Sequence, residues 1–185
     1  MPTSDDRGLL RIYLNDHLTG AAGGVELARR VARAHRDSGD AERLRRLADD
    51  IAADRGALLA IMRSLELPVN RAKSLVAWGA EKAGRLKLNG RLLSRSPLSD
   101  LVEVEMLRLA VEGKAAGWRT LLALADQEPG LDAGRLRTLL ERADAQVAVL
   151  EEIRMKTVDT VFRETATGRS ATVRREHAEA HDVDR

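Results

Sequence analysis

Asp40 to Pro68 reads DAERLRRLADDIAADRGALLAIMRSLELP, and the spacing of its apolar residues decides the fold. Leu44, Leu47, Ile51, Asp54, Leu58, Ile61 and Leu65 recur at three- and four-residue steps, which gathers them into one stripe on an α-helix. The pattern predicts a helix capped by Asp40, running to about Leu67 and stopped by Pro68. It also sets one carboxylate, Asp54, in the middle of the inner face. Burying a charge there is costly unless a partner meets it, so Asp54 is either paired or functional.

Working outward, Asp37-Ser38-Gly39-Asp40 is a dense turn signal. Before it a first helix is expected from about Asp5 to Arg36, with Ser4 as N-cap and an inner stripe of Leu10, Leu14, His17, Ala21, Gly24, Ala28 and Val31. Beyond Pro68, residues 68–96 read as a crossover, with an amphipathic helix over Ala72 to Leu93 that breaks near Asn89-Gly90. Ser96-Pro97 then supplies an N-cap and a first helical position. A third helix follows to about Asp126, with Leu101, Val104, Val111, Ala115, Trp118, Leu122 and Ala125 inward. After the short turn Gln127-Glu128-Pro129-Gly130, a fourth runs from about Asp132 to Phe162, with Leu136, Leu140, Ala143, Val147 and Leu150 inside. The expected fold is all-α: a four-helix bundle over residues 1–165, made of two antiparallel hairpins joined by a long crossover, with a polar tail at 166–185.

Composition fits this layout. Hydrophobic residues make up 44% and charged residues 32% of the 185, an ordinary mix for a globular chain large enough to bury one core. Cysteine is absent, which removes disulfides, thiolate metal sites and cysteine nucleophiles. The N-terminus opens polar and acidic, and no apolar run nears the roughly 20 residues that span a bilayer, so a cytoplasmic location is expected. The net charge is only +2, but it is uneven. Between Val69 and Ser96, Arg71, Lys73, Lys82, Arg85, Lys87, Arg91 and Arg95 face the single acid Glu81. That stretch carries +6, leaving −4 for the rest.

The order of hairpin, long crossover and hairpin resembles the ferritin-like superfamily, in particular a bacterioferritin-like four-helix bundle, over about Leu10 to Thr157. Local echoes are Tyr13-Leu14-Asn15-Asp16, Leu65-Glu66-Leu67-Pro68, Glu105-Met106-Leu107-Arg108 and Ala123-Leu124-Ala125-Asp126. Di-iron bundles of this layout take a Glu from each of two helices and a Glu-x-x-His from each of the others. No Glu-x-x-His occurs in this chain. Carried across by position, the family's ligands fall near Ala21, near Asp49 and Ala52, near Val111, and near Ala143 and Gln146. The resemblance therefore implies the architecture without the family's iron ligands.

Four features invite a functional reading. Gly20, Ala21, Gly24 and Ala28 make a small-residue face, suited either to close packing against a bulky group such as Trp118 or to a hollow for an apolar ligand. His17 and Asp54, both on inner stripes, suggest a hydrogen-bonded pair that fixes helix register, or with Glu112 and Asp144 an unorthodox metal site. His177 and His181 stand four apart and share a face if helical. The crossover sets Trp78 among its basic residues, a pattern for an anionic membrane, nucleic acid or a neighbouring subunit. The leading expectation is a non-catalytic bundle acting through self-association, a homodimer being favoured, or through a protein partner, with no cofactor. The alternatives are an iron-handling or oxidative enzyme, with iron at His17, Asp54, Glu112 and Asp144, and anionic-polymer or membrane binding through the crossover.

Overall fold

The computed structural model describes residues 4–70 and 97–164, and among them every regular element is helical. Helix α1 spans Ser4–Ala34, α2 Ala41–Ser64, α3 Pro97–Leu124 and α4 Ala133–Asp159, with one π turn at Thr160–Glu164. The basic set from Arg71 to Arg95 with Trp78, and the tail with His177 and His181, lie outside the described residues.

The helix ends follow local chemistry. Asp132 caps α4, its carboxylate accepting from the Arg135 backbone N–H at 3.0 Å. Asp40 stands at the N-cap position of α2 but makes no side-chain cap bond, contrary to expectation. Its carboxylate accepts from Lys156 Nζ at 2.8 Å and Arg43 at 3.2 Å, because a cation on the facing helix is a stronger partner than a backbone amide. Helix α2 stops at Ser64, four residues before Pro68. There the Glu66 N–H donates to the Arg63 carbonyl and the Leu67 N–H to the Met62 carbonyl, the bonding of a Schellman motif. That motif needs a left-handed residue, and Glu66 takes it with φ 55° although the position favours glycine. Buried Met62 and Leu67 supply the apolar contact that holds the turn.

Long-range pairings fix how the helices lie. From the start of α1 to its end, Arg7 donates to the Leu65 carbonyl at 2.9 Å, Tyr13 Oη to Thr120 Oγ1 at 3.1 Å, and Arg30 pairs with Glu103 at 3.0 Å. Between α3 and α4, Arg119 meets Asp144 at 3.0 Å and Arg108 meets Glu151 at 3.1 Å. Backbones approach closely in α1–α2, α3–α4 and α1–α3. Helices α2 and α4 meet through long polar side chains instead: Lys156 on Asp40, Arg43 on Glu152 at 2.6 Å, and Arg142 on Asp54.

The core is one aliphatic cluster crossing all four helices. The inner stripe expected for α2 is buried throughout, from Leu44 to Leu65. In α3 and α4 the buried face differs from the expected one: Leu107, Leu121, Leu139, Gln146 and Ile153 are buried, while Leu122, Ala125, Leu140 and Val147, expected inward, are only half-buried, because each helix is turned toward more than one neighbour. At the loop end, Gly130 lies against the end of α2, where an added Cβ would come within 2.9 Å of the Ser64 carbonyl oxygen. Asn15, also buried, ties the chain leaving α2 to α1: it donates to the Pro68 carbonyl at 3.1 Å and accepts from the Asn70 N–H at 2.6 Å.

Candidate functional site

Asp54 is the most deeply buried charge of the described residues, at 1% exposure. Its place on the apolar seam of α2 drives it into the bundle centre, and three side chains from two other helices meet it there. Oδ2 accepts from Lys114 Nζ of α3 at 2.5 Å and from Gln146 Nε2 of α4 at 3.2 Å. Oδ1 accepts from Arg142 of α4, and the Gln146 side-chain oxygen accepts from Lys114. Burial pushes the Lys114 ammonium below its ordinary value of 10.5, the attraction of Asp54 opposing that shift. The nearby Arg142 charge lowers it further, while Asp50 raises it.

Asp54 and Lys114 form one wall of a cavity of about 460 Å³ between α1, α2 and α3. The rest of the lining is mostly apolar: Leu14 and Ala21 of α1, Ile51 and Leu58 of α2, and Leu107, Val111 and Trp118 of α3. Exposed Gly20, Ala110 and Gly113 stand at its mouth. The small-residue face thus keeps space open, correcting the reading of close packing. A Cβ added at Gly20, Gly24 or Gly113 meets nothing within 4 Å, even though Gly24 is buried. Of the glycines lining the cavity, Gly117 is the contact glycine, with the His17 ring 3.1 Å from where its Cβ would stand.

His17 lines the same cavity without reaching Asp54. The expected pair does not form, because cations from α3 and α4 occupy both Asp54 oxygens. The imidazole packs edge-on against Tyr13, with centroids 4.5 Å apart at 62°. Burial lowers its pKa from the ordinary 6.5, with Asp16 pulling the other way.

The proposed metal set is not gathered. Glu112 faces Arg108 on its own helix at 3.7 Å, and exposed Asp144 pairs with Arg119. Among the described residues no group of three or more His, Asp or Glu side chains is placed to hold a metal ion. The donor set does not fit the di-iron centre of the superfamily that the sequence resembles: Asp54, a buried acid on the α2 seam, is paired with fixed cations. Sequence reading named Asp54 but missed Lys114, Arg142 and Gln146. The signal was present in Gln146, a polar residue between Ala143 and Leu150 on the buried face of α4, and in Lys114, one turn from Val111 and Trp118 on α3.

An all-helical bundle with a buried ion-pair cluster beside an apolar cavity is the class these observations define. No family model, curated protein or solved structure matches the chain. No helix among the described residues is long and apolar enough to cross a membrane.

Two measurements test the site. Asp54→Ala leaves the mostly buried Lys114 and half-buried Arg142 without a counter-charge, and chemical denaturation should record a loss of about 3–5 kcal/mol. Adding Lys114→Met should recover part of that loss; strictly additive losses would mean that the two side chains do not interact. His17 has a folded pKa below its unfolded one, so between the two the unfolded chain binds more protons and folding stability falls as pH falls. Unfolding free energy should therefore decline from just above pH 6.5 downward, and His17→Gln should flatten that decline.

Proposed function

We propose that this protein is a non-catalytic, ferritin-like bundle that works by binding, with the cavity between α1, α2 and α3 as its ligand site. The observation carrying this reading is about 460 Å³ of mostly apolar space that glycines on α1 and α3 keep open. Well-packed interiors hold few voids larger than a water molecule, so a space of this size is not a packing residue. It falls within the usual range of small-molecule pockets, and between helices of a bundle is a common place for one. A few polar side chains on an apolar wall are what such pockets use to orient a ligand.

The ferritin-like topology is part of the same proposal. Rising residue numbers on α1 meet falling ones on α3, α3 and α4 pair in the same sense, and the start of α1 meets the end of α2. Two antiparallel hairpins accommodate all of these pairings. In this reading the centre of the bundle is held by a covalently attached cation, Lys114, beside Asp54.

A second reading, self-association as a homodimer, draws on a separate surface. Leu98, Val102, Met106 and Leu109 of α3 are 47–60% exposed and follow at steps of four, four and three, a continuous apolar stripe. A helix face of this kind suits a seam with the same stripe of a second copy.

Binding of the neutral dye N-phenylnaphthylamine, followed by its fluorescence, tests the first reading. The wild-type protein should bind it, and Gly24→Leu should abolish binding while holding or raising stability, since leucine fills open space and favours helix by about 1 kcal/mol over glycine. Unchanged binding in a folded Gly24→Leu protein would remove the cavity from consideration. For the second reading, sedimentation should find a dimer that Val102→Glu with Met106→Glu converts to monomer; a wild-type monomer at micromolar concentration would dismiss the seam.

A further inference from the structure

Three donors in the cavity wall are left over. Lys114 has three N–H groups and uses two, on Asp54 and on Gln146. Trp118, 3% exposed, has an indole N–H that is buried and finds no acceptor. The Nε–H of Arg55, another lining residue, is buried and unpaired as well. Buried indole and guanidinium donors ordinarily have partners, so three unspent donors around one cavity mark a place for an acceptor.

Charge agrees with this. The cluster of buried Asp54 with Lys114 and half-buried Arg142 carries +1. Among the other charged lining residues, Arg55 adds a positive charge, and Asp16, exposed at the rim, offsets it. Asp50 acts on Lys114 from the preceding turn of α2, yet burial and the Arg142 charge together outweigh both acids in setting the ammonium's proton affinity. One more negative charge beside Lys114 would balance the cluster.

Resting on the reading of the cavity as a ligand site, we infer that the ligand is an anionic amphiphile. Its carboxylate accepts from Lys114 and Trp118, and its alkyl or aryl body fills the apolar space toward Gly20 and Gly24. A carboxylate offers about four lone-pair directions in one plane, enough for both donors, and charge-assisted bonds to it are about twice as strong as neutral ones. An alcohol of equal length has two acceptor lone pairs but no charge, so its bonds are weaker and the ammonium stays uncompensated. An amine would bring a second ammonium to Lys114.

Titration of the full chain carrying Trp78→Phe, with Trp118 fluorescence as the readout, separates the outcomes. The probes are decanoate, decanol and decylamine, each below its aggregation concentration. Decanoate should bind about tenfold or more tightly than either of the others. Trp118→Phe, read by calorimetry, keeps the aromatic wall and removes the donor. It should weaken decanoate severalfold and decanol by less, because the charged acceptor loses the stronger bond. Lys114→Met should erase the preference for the anion, its folding being checked by circular dichroism. Equal binding of decanoate and decanol would overturn the inference while leaving an apolar ligand site. Binding of none of the three would overturn the ligand site itself, and the inference with it.

Discussion

The buried carboxylate of Asp54 is the constraint around which the other helices arrange themselves. A charge at 1% exposure in an aliphatic core is tolerable only if cations reach it, and they come from α3 and α4, which lie farther from the α2 backbone than α1 does. The long side chains of Lys114 and Arg142 span a gap that leucine or alanine would leave unfilled. One ion-pair cluster therefore sets both the register of α2 against its partners and the distance between them. Such clusters rarely add much net stability over a well-packed apolar core, because desolvation offsets most of the Coulomb gain. What they do supply is penalty for any arrangement that separates the partners.

That spacing has a second consequence. Where α1 and α3 face each other above the cluster, the sequence offers glycine and alanine rather than large aliphatic residues, and the interior does not close. Glycine inside a helix costs about 1 kcal/mol relative to alanine, yet Gly20, Gly24 and Gly113 stand at or near the opening with no neighbour that a methyl group would disturb. Steric crowding accounts for Gly117 against His17 and for Gly130 against the end of α2. It does not account for the other three, which border open space.

Much of the fold was legible in the sequence because helical periodicity is a local property. The α2 seam named its own buried face, the turn at Asp37 to Asp40 and the Pro97 start were marked by turn and cap chemistry, and the short loop before Asp132 delivered the next helix on time. Boundaries set by non-local contact were less readable. Asp40 gave up its capping bond to Lys156, 116 residues away, and α2 ended through a left-handed Glu66 where no glycine announced the turn.

The sequence by itself determined the four described helices, the buried face of α2 and the absence of cysteine chemistry and of the Glu-x-x-His pattern, since all of these follow from spacing and composition along one chain. It also determined that Asp54 would be buried, because that residue lies on the seam. Only the tertiary structure decided who meets it. His17 and Asp54 are both inward on their own helices, but pairing depends on the rotation and depth of one helix against another. Small shifts of that kind exchange a histidine for a lysine as the nearest partner. The cavity belongs to the same category: a stripe of small residues reads identically whether a neighbouring helix closes upon it or stands off, and here the side chains spanning α2, α3 and α4 accompany a helix that stands off.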